Sequence, residues 1–504
     1  MQPTEPRASA PLLEHTYSES FPDLAHQAQP DISPGTRLAW LNEKLAHDLG
    51  LDSAWLRSEA GLAWMTGRGE APTYALAYSG YQFGQLSPVL GDGRAHLIGE
   101  LAVPGRDVTP TSSGSSCVDL HLKGSGRTSF SRPGSDGKAP LSAAWREVVI
   151  GESLHALGLP TSRALAVFET GEKVRRRAPE PEPAGLVLRV AASHLRVGTF
   201  QFAQYHCEPE VRTQLVDYAL ARHFPNRDTG ETHGERALAL LRAVAQRQAH
   251  LVASWQALGF VHGVLNTDNV TISGEAIDFG PCAFIDGFER DKVFSSIDRQ
   301  GRYAYNHQPG ITAWNLSRFA ETLLDIIDPR DPNRAIHLAT EVISDFEDEI
   351  VELQIAAFAA KLGLEMDGVD KDVRVQVGRF GQLTLGLLAR HALDFTGFFR
   401  SLTEGICLLP EEERSAWLTR WGELREATDT SSKRAEKLML AHNPVYIPRN
   451  LALDAALRQM ERGNQQPLEE LLEAVSTPFE RRDGLDYLES APAESRFFTS
   501  FCGT

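Results

Sequence analysis

The spacing of apolar residues divides the chain into stretches of different texture. Residues 1 to about 35 carry Pro, Ser and Glu without a clear apolar period, which predicts a loosely attached arm. Leu38, Leu41, Leu45 and Leu49 then recur at helical spacing, with Gly50 where a C-terminal cap would sit. From about 72 to 210 the pattern turns to short apolar runs rich in glycine, interrupted by one helix around Leu141 to Leu157. Within it, Val118, Leu120 and Leu122 alternate with Asp119, His121 and Lys123, as in a half-buried strand. Residues 169–185 are charged and Pro-rich, a solvated excursion between two strands. From about 211 helices dominate: Val211 to Phe224, Glu235 to Leu258, Asn315 to Ile327 and several between 335 and 475. A strand-rich island at 260–285 interrupts them, and no internal repeat is visible. The expected class is α+β, with an arm (1–35), a small strand-rich lobe (36–210) and a large helical lobe (211–504).

Charge and composition narrow the functional classes. The 67 acidic residues against 50 Lys and Arg give a net charge of −17, so binding to a nucleic-acid backbone is not expected. A hydrophobic fraction of 42% is ordinary for a folded chain, and no window approaches the ~18 apolar residues of a membrane span. The polar, Pro-rich N-terminus lacks the layout of a secretory signal, and the expected location is the cytoplasm. Cysteines at 117, 207, 282, 407 and 502 show neither a Cys-x-x-Cys pair nor zinc spacing.

The island carries the densest chemistry. It runs from His262 through Asp268 and Asn269 to Asp278-Phe279-Gly280, and Val270–Ile272 with Ala276–Ile277 read as a tight hairpin around Ser273-Gly274-Glu275. An amide oxygen at Asn269 and a carboxylate at Asp278 would then converge, a donor pair suited to Mg²⁺ or Mn²⁺ bridging nucleotide phosphates. Protein kinases use a similar layout, His-Arg-Asp-x-x-x-x-Asn followed by Asp-Phe-Gly. Counting from His262, the metal-binding Asn falls at Asn269, but the catalytic Asp position is Val264. Asp268 is the carboxylate left to accept a proton.

Upstream, Lys123 precedes Gly124-Ser125-Gly126-Arg127, where a kinase-like lobe would hold phosphates, although alone it reads as an ordinary strand lysine. Glu147, on the following helix, could pair with it. Leu90-Gly91-Asp92-Gly93-Arg94 has the chemistry of a plain hairpin turn, or of a loop whose backbone N–H groups approach a phosphate with Arg94 adding charge. Arg189 and Arg196 are further basic residues of the small lobe. There is no Gly-x-Ser-x-Gly elbow, His-Glu-x-x-His or Walker A run.

Taken in order, Tyr78-Ser-Gly-Tyr-Gln-Phe-Gly84, Leu90–Arg94, Leu122–Gly126, Arg146-Glu147, Pro160–Ala164, Arg189–Arg196, His262–Asn269 and Ile277–Pro281 resemble the selenoprotein O, or YdiU, family of kinase-like proteins, from about Leu38 to the C-terminus. The resemblance implies a two-lobed protein-kinase-like fold with a C-terminal helical extension. It further implies that this fold binds ATP in a flipped orientation and transfers AMP to Ser, Thr or Tyr hydroxyls of proteins, releasing pyrophosphate. It implies Asp268 as proton acceptor, Asn269 and Asp278 as ligands of Mg²⁺ or Mn²⁺, and Gly91, Gly93, Arg94, Lys123, Asp136, Gly137, Arg189 and Arg196 as nucleotide contacts, with Glu147 pairing Lys123. The chain departs from the family pattern at Tyr81, at Ser135 and at Lys138. Members often place Cys or selenocysteine near the C-terminus, and Cys502 matches that position; some bacterial members also carry a Cys after Asp-Phe-Gly that could pair with it. Residues 293–297 contain none, and Cys282 is the nearest substitute. The alternatives are a conventional phosphotransferase and a catalytically silent ATP-binding scaffold in redox stress.

Overall fold

The computed structural model describes residues 10–103, 117–176, 180–227 and 229–500. Its strands are β1 (Leu13–Glu14), β2 (Ala25–Gln27), β3 (Arg37–Leu41), β4 (Tyr74–Leu76), β5 (Gly80–Gln82), β6 (Gln85–Ser87), β7 (Ala95–Ala102), β8 (Cys117–Lys123), β9 (Ala139–Pro140), β10 (Arg163–Val174), β11 (Glu182–Ala191), β12 (Phe260–Val261) and β13 (Ala283–Phe284). Nine of them form one sheet with the path β2-β4-β7-β8-β11-β10-β3, to which β1 joins at β7 and β9 at β11. The pairings between its strands are antiparallel. Together with the many helices that follow, this makes the fold α+β.

Several local expectations give way to tertiary pairing. Leu38 and Leu41 lie on β3, and only Glu43–Asp48 is helical, started by Asn42 accepting from the Leu45 N–H at 3.0 Å. The apolar repeat is real, since Leu41, Leu45 and Leu49 share one core with Val118, Leu120 and Leu122. A strand running into a helix simply presents the same face twice. The excursion at 169–185 is mostly strand, because β10 continues to Val174 and β11 begins at Glu182. The helix expected at Asn315 to Ile327 starts earlier, spanning Gln308–Glu321 with Pro309 in its first turn, and a short turn of helix follows at Leu324–Ile327.

From residue 10 onward the expected loose arm is part of the sheet. β1 and β2 pair with β7 and β4, and Tyr17, Phe21 and Leu24 are buried. Phe21 meets the Tyr218 ring edge-on at 5.4 Å, and the Glu100 carboxylate accepts from Thr16 Oγ1 (2.6 Å) and the Tyr17 N–H (2.8 Å). Phe21→Ala is expected to cost about 3–5 kcal/mol, read as a lowered denaturant midpoint; a free arm would give no change.

Strand β8 sits mid-sheet and is covered on both sides, so its polar face is buried rather than half-exposed. That face is satisfied internally. His121 Nε2 donates to Asp92 (2.9 Å), and Asp119 accepts from the His194 ring (3.0 Å) and from Arg222 (2.5 Å).

Helix Leu141–Ala156 packs Val148, Val149 and Leu154 into the larger core and carries Glu147. The long helix His233–Leu258 opens on a Thr232/Glu235 capping box and ends at Gly259, whose φ of 69° lies in the left-handed region that glycine tolerates. The chain then turns into β12, which pairs antiparallel with β13. Between them, residues 262–282 form a loop, with one 3₁₀ turn at Thr267–Asn269, closed at its base by those two strands.

A candidate nucleotide and metal site

The turn inside that loop is real but its expected hairpin is not. Gly274, at φ 79°, donates to Thr271 O at 3.3 Å, yet the two arms do not pair with each other. One arm bonds to residues 195–197 (Ile272 N–H to Leu195 O and Val197 N–H to Val270 O, both 2.9 Å), the other to 160–162 (Ser162 N–H to Ala276 O, 2.9 Å). The sheet-bearing part of the chain thus supplies the partners that a hairpin would have supplied, and the loop is stitched to Arg196 and to the segment before β10. His262, buried, donates from Nε2 to Ile277 O at 2.8 Å and holds the start of the loop against the residue before Asp278.

Five sequence-predicted residues converge here. Glu147 accepts from Arg189 through Nε (2.6 Å) and Nη2 (2.7 Å) and pairs with Lys123. Asp278 accepts from Lys123 at 2.7 Å and pairs with Arg189, while Arg196 lies 3.9 Å from its second oxygen. Two carboxylates therefore sit among three cations. Burial alone would raise both carboxyls; Arg189 and Lys123 outweigh it, holding Glu147 at about 2 and, with Arg196, Asp278 well below the usual range. Asp278 also has φ 64°, a left-handed conformation that Asp tolerates better than most residues and that aims its carboxylate back toward the sheet.

Asp268 also adjoins Arg196, whose Nη1, the atom that lies near Asp278, donates to the Asp268 carbonyl at 3.2 Å. Its side chain is 7% exposed and its Oδ1 has no hydrogen-bond partner. Burial pushes this carboxyl up to about 6. Asn269 donates from Nδ2 to Val264 O at 2.8 Å, a bond that leaves Oδ1 for a ligand. The carbonyl of the residue standing at the missing base position thereby orients the amide.

The remaining expected contacts are arranged differently. The Leu90–Arg94 segment is not a hairpin but the lead-in to β7. The N–H groups of Gly91 and Asp92 donate to Tyr78 O (3.1 Å) and Leu76 O (2.9 Å), and that of Gly93 to Gly91 O (2.9 Å), so these amides are spent within the chain. The two glycines serve close packing, since a Cβ at either would run into Phe130. The Arg94 carbonyl accepts from the Gly124 N–H at 2.8 Å, which sets Arg94 beside the end of β8. Gly137, at φ 70°, packs on Gly126, but Asp136 is exposed and paired bidentately with Arg176 (2.8 and 2.9 Å), outside the cation cluster.

Two residues of this neighbourhood were not foreseen. Asp92, buried and held by His121, lies 3.8 Å from Arg196, and the Tyr78 ring stacks under the same guanidinium at 4.3 Å. In sequence an Asp between two glycines reads as a turn residue, and nothing in the spacing marks it as a buried carboxylate. Cys282 is buried with its thiol pushed up to about 12, and Cys502 lies outside the described residues.

The donor set can be tested against a metal. Among the described residues no three His, Cys, Asp or Glu could hold an ion by themselves. Asn269 Oδ1 and Asp278 offer two hard oxygens, the number a chain contributes to Mg²⁺ when substrate phosphates complete the shell. The residues fit a cation that arrives with a nucleotide.

Residues 11–476 match the family described as protein adenylyltransferase SelO. The chain belongs to the SelO family. Relatives named protein nucleotidyltransferase YdiU include that of Rhodococcus jostii, 45% identical over 513 residues with 98% of this chain and 94% of that one covered. The Chromobacterium violaceum protein is 43% identical over 500 residues, covering 96% and 100%. The Anoxybacillus flavithermus protein is 44% identical over 475 residues, covering 93% and 94%. The activity of this SelO-family chain is protein nucleotidyl transfer, and it is an enzyme. Among the described residues no helix is long and apolar enough to cross a membrane.

Proposed function

We propose that the chain transfers AMP from ATP to Ser, Thr or Tyr hydroxyls of proteins, with Asp268 as proton acceptor and the Lys123–Arg189–Arg196 cluster as the phosphate site. The observation that carries this reading is the division of labour between two carboxylates. Asp278 is kept ionised among three cations, while Asp268 is buried and raised with an oxygen lacking a partner. In kinase-like sites the base precedes the metal-binding Asn by five residues, where this chain has Val264; a base at Asp268, beside Asn269, sits elsewhere relative to the phosphates.

Lys123, Arg189 and Arg196 neutralise the triphosphate and hold its α-phosphorus for attack. Glu147 keeps Lys123 and Arg189 in place. Asp268 accepts the hydroxyl proton as the hydroxyl oxygen bonds to the α-phosphorus and the bond from that phosphorus to the bridging oxygen breaks, releasing pyrophosphate. Asn269 and Asp278 would hold a Mg²⁺ or Mn²⁺, which when bound would supply charge neutralisation. Residues 10–210 and 211–504 would then act as the two lobes of a kinase-like unit, the first bringing Lys123, Glu147 and Arg189, the second Asp268, Asn269 and Asp278. ATP and protein hydroxyls as substrates are in keeping with a cytoplasmic location.

Incubation with α-labelled and γ-labelled ATP and either metal tests the reading. Label from the α position and an AMP-sized mass addition are expected; transfer from the γ position alone would establish a conventional phosphotransferase instead.

A further inference from the structure

We propose that the β5–β6 hairpin (Gly80–Ser87) and the arginine–aromatic stack beside it form the docking surface for the protein substrate, and that this surface selects a carboxylate side chain close to the hydroxyl that is modified. The proposal rests on the reading above in taking Asp268 as the group the hydroxyl must reach.

The hairpin lies directly over that group. The Tyr81 N–H donates to Thr267 Oγ1 at 2.8 Å and the Phe83 N–H to the Tyr303 hydroxyl at 3.0 Å, and a Cβ at Gly80 would collide with the Asp268 carboxylate. A hydroxyl coming from solvent to Asp268 therefore passes along the hairpin. β5 and β6 pair only with each other, apart from the nine-stranded sheet. Apolar side chains of the hairpin and just after it reach solvent: Phe83, Leu86 and Val89 are 38%, 36% and 52% exposed. Scattered exposed apolar side chains are ordinary, but a group at the mouth of a site is a recognition signal.

Charge supplies the specificity. The half-buried Arg302 guanidinium stacks on Trp314 (4.7 Å to the ring centroid) and packs against Gly84 at the hairpin tip. Tyr81 meets the same Trp314 ring edge-on at 5.3 Å. Arg318 lies over the other reach of that ring, at 5.3 Å, but is already paired with Glu321 at 2.6 Å. Arg302 has no carboxylate partner among the described residues, and its Nε finds no acceptor. A guanidinium fixed by stacking, in a chain of net charge −17, is pre-organised for a carboxylate that the chain itself does not supply. It is not among the cations paired with Asp278 or Glu147, which are Lys123, Arg189 and Arg196.

Two peptides that differ only in Glu or Lys flanking a single hydroxyl, offered with ATP and Mg²⁺, decide the matter. The native enzyme is expected to modify the Glu peptide with about tenfold higher kcat/KM, the effect of one partly desolvated charge pair. Arg302→Glu should reverse the preference. Arg302→Gln, which removes the charge and keeps a polar, uncharged side chain, should abolish it without reversal, which covers the case of a misfolded charge-reversal variant. Equal use of both peptides by the native enzyme, or a Glu preference that survives in Arg302→Gln, overturns the docking proposal. Absence of pyrophosphate release and of AMP on every peptide with the native enzyme overturns instead the catalytic reading beneath it.

Discussion

Asp278→Ala is expected to lower AMP transfer by about three orders of magnitude and to destabilise the metal-free fold as well. The first effect follows from removing the single carboxylate among the proposed metal ligands, at a point where charge is neutralised in the transition state. The second follows from what remains. Lys123, Arg189 and Arg196 would keep only Glu147 and, at 3.8 Å, Asp92 as carboxylate partners. Breaking a buried pair from one side costs about 3–5 kcal/mol. The Asp278 side chain is 27% exposed, which places this case at or below the lower end. Alanine also adopts the left-handed backbone at φ 64° less readily than Asp or Asn, adding about 1 kcal/mol. Asp278→Asn should thus fall between native and alanine in thermal midpoint while losing transfer to a similar extent. ATP should still bind to both variants without metal, because Lys123 and Arg189 are released toward the phosphates. Calorimetric ATP binding, a melting curve and a transfer assay on the same three proteins check the set. Transfer by Asp278→Asn within tenfold of native would remove Asp278 from the metal site.

What could be read in advance, and what could not, separates along one line. Placement fixed by short-range order was legible: the alternation that ends at Lys123, and Glu147 on the helix that follows, which the fold brings into one ion pair. Pairing decided across the fold was not. Leu38 and Leu41 fit a helix until β10 claims them as a strand, and residues 10–35 look like a tether because their apolar residues follow no period and are buried one at a time against Tyr218 and the sheet. The 270–277 turn looked self-paired because its true partners lie more than seventy residues upstream in sequence. Charge behaved in the same way. The total of −17 hides a site in which Lys123, Arg189 and Arg196 gather around Glu147 and Asp278, and from which Arg302, with no carboxylate partner among the described residues, stands apart. Asp92 escaped notice because a carboxylate between two glycines is ordinarily a solvated turn; its role depends on His121, which reaches it only through the β7–β8 pairing.

Asp268→Asn should abolish transfer while making the metal-free protein more stable, the opposite sign to Asp278→Ala. Two carboxylates in one loop part company because Arg189 and Lys123 compensate the burial of one and nothing of equal strength compensates the other; Arg196 reaches Asp268 through its carbonyl. A carboxyl raised from 3.8 to about 6 in the folded state costs that state at most about 3 kcal/mol once both states are ionised. The sign follows from proton counting. Between pH 4 and 6 the folded state holds a proton that the unfolded state has lost, so the contribution of Asp268 to stability falls as pH rises through this window and is constant above it. An amide of the same shape does not titrate. The stability advantage of Asp268→Asn, measured by denaturant unfolding in the presence of a chelator, should therefore be small near pH 4, grow to about pH 6 and level off above pH 7. A variant that is less stable than native at pH 7.5 would mean that the Asp268 carboxylate is stabilised by its surroundings, and the case for it as the proton acceptor would lose its physical basis. The expected pattern, by contrast, describes a group the fold keeps at a cost, and the loss of transfer measured beside it states what that cost serves.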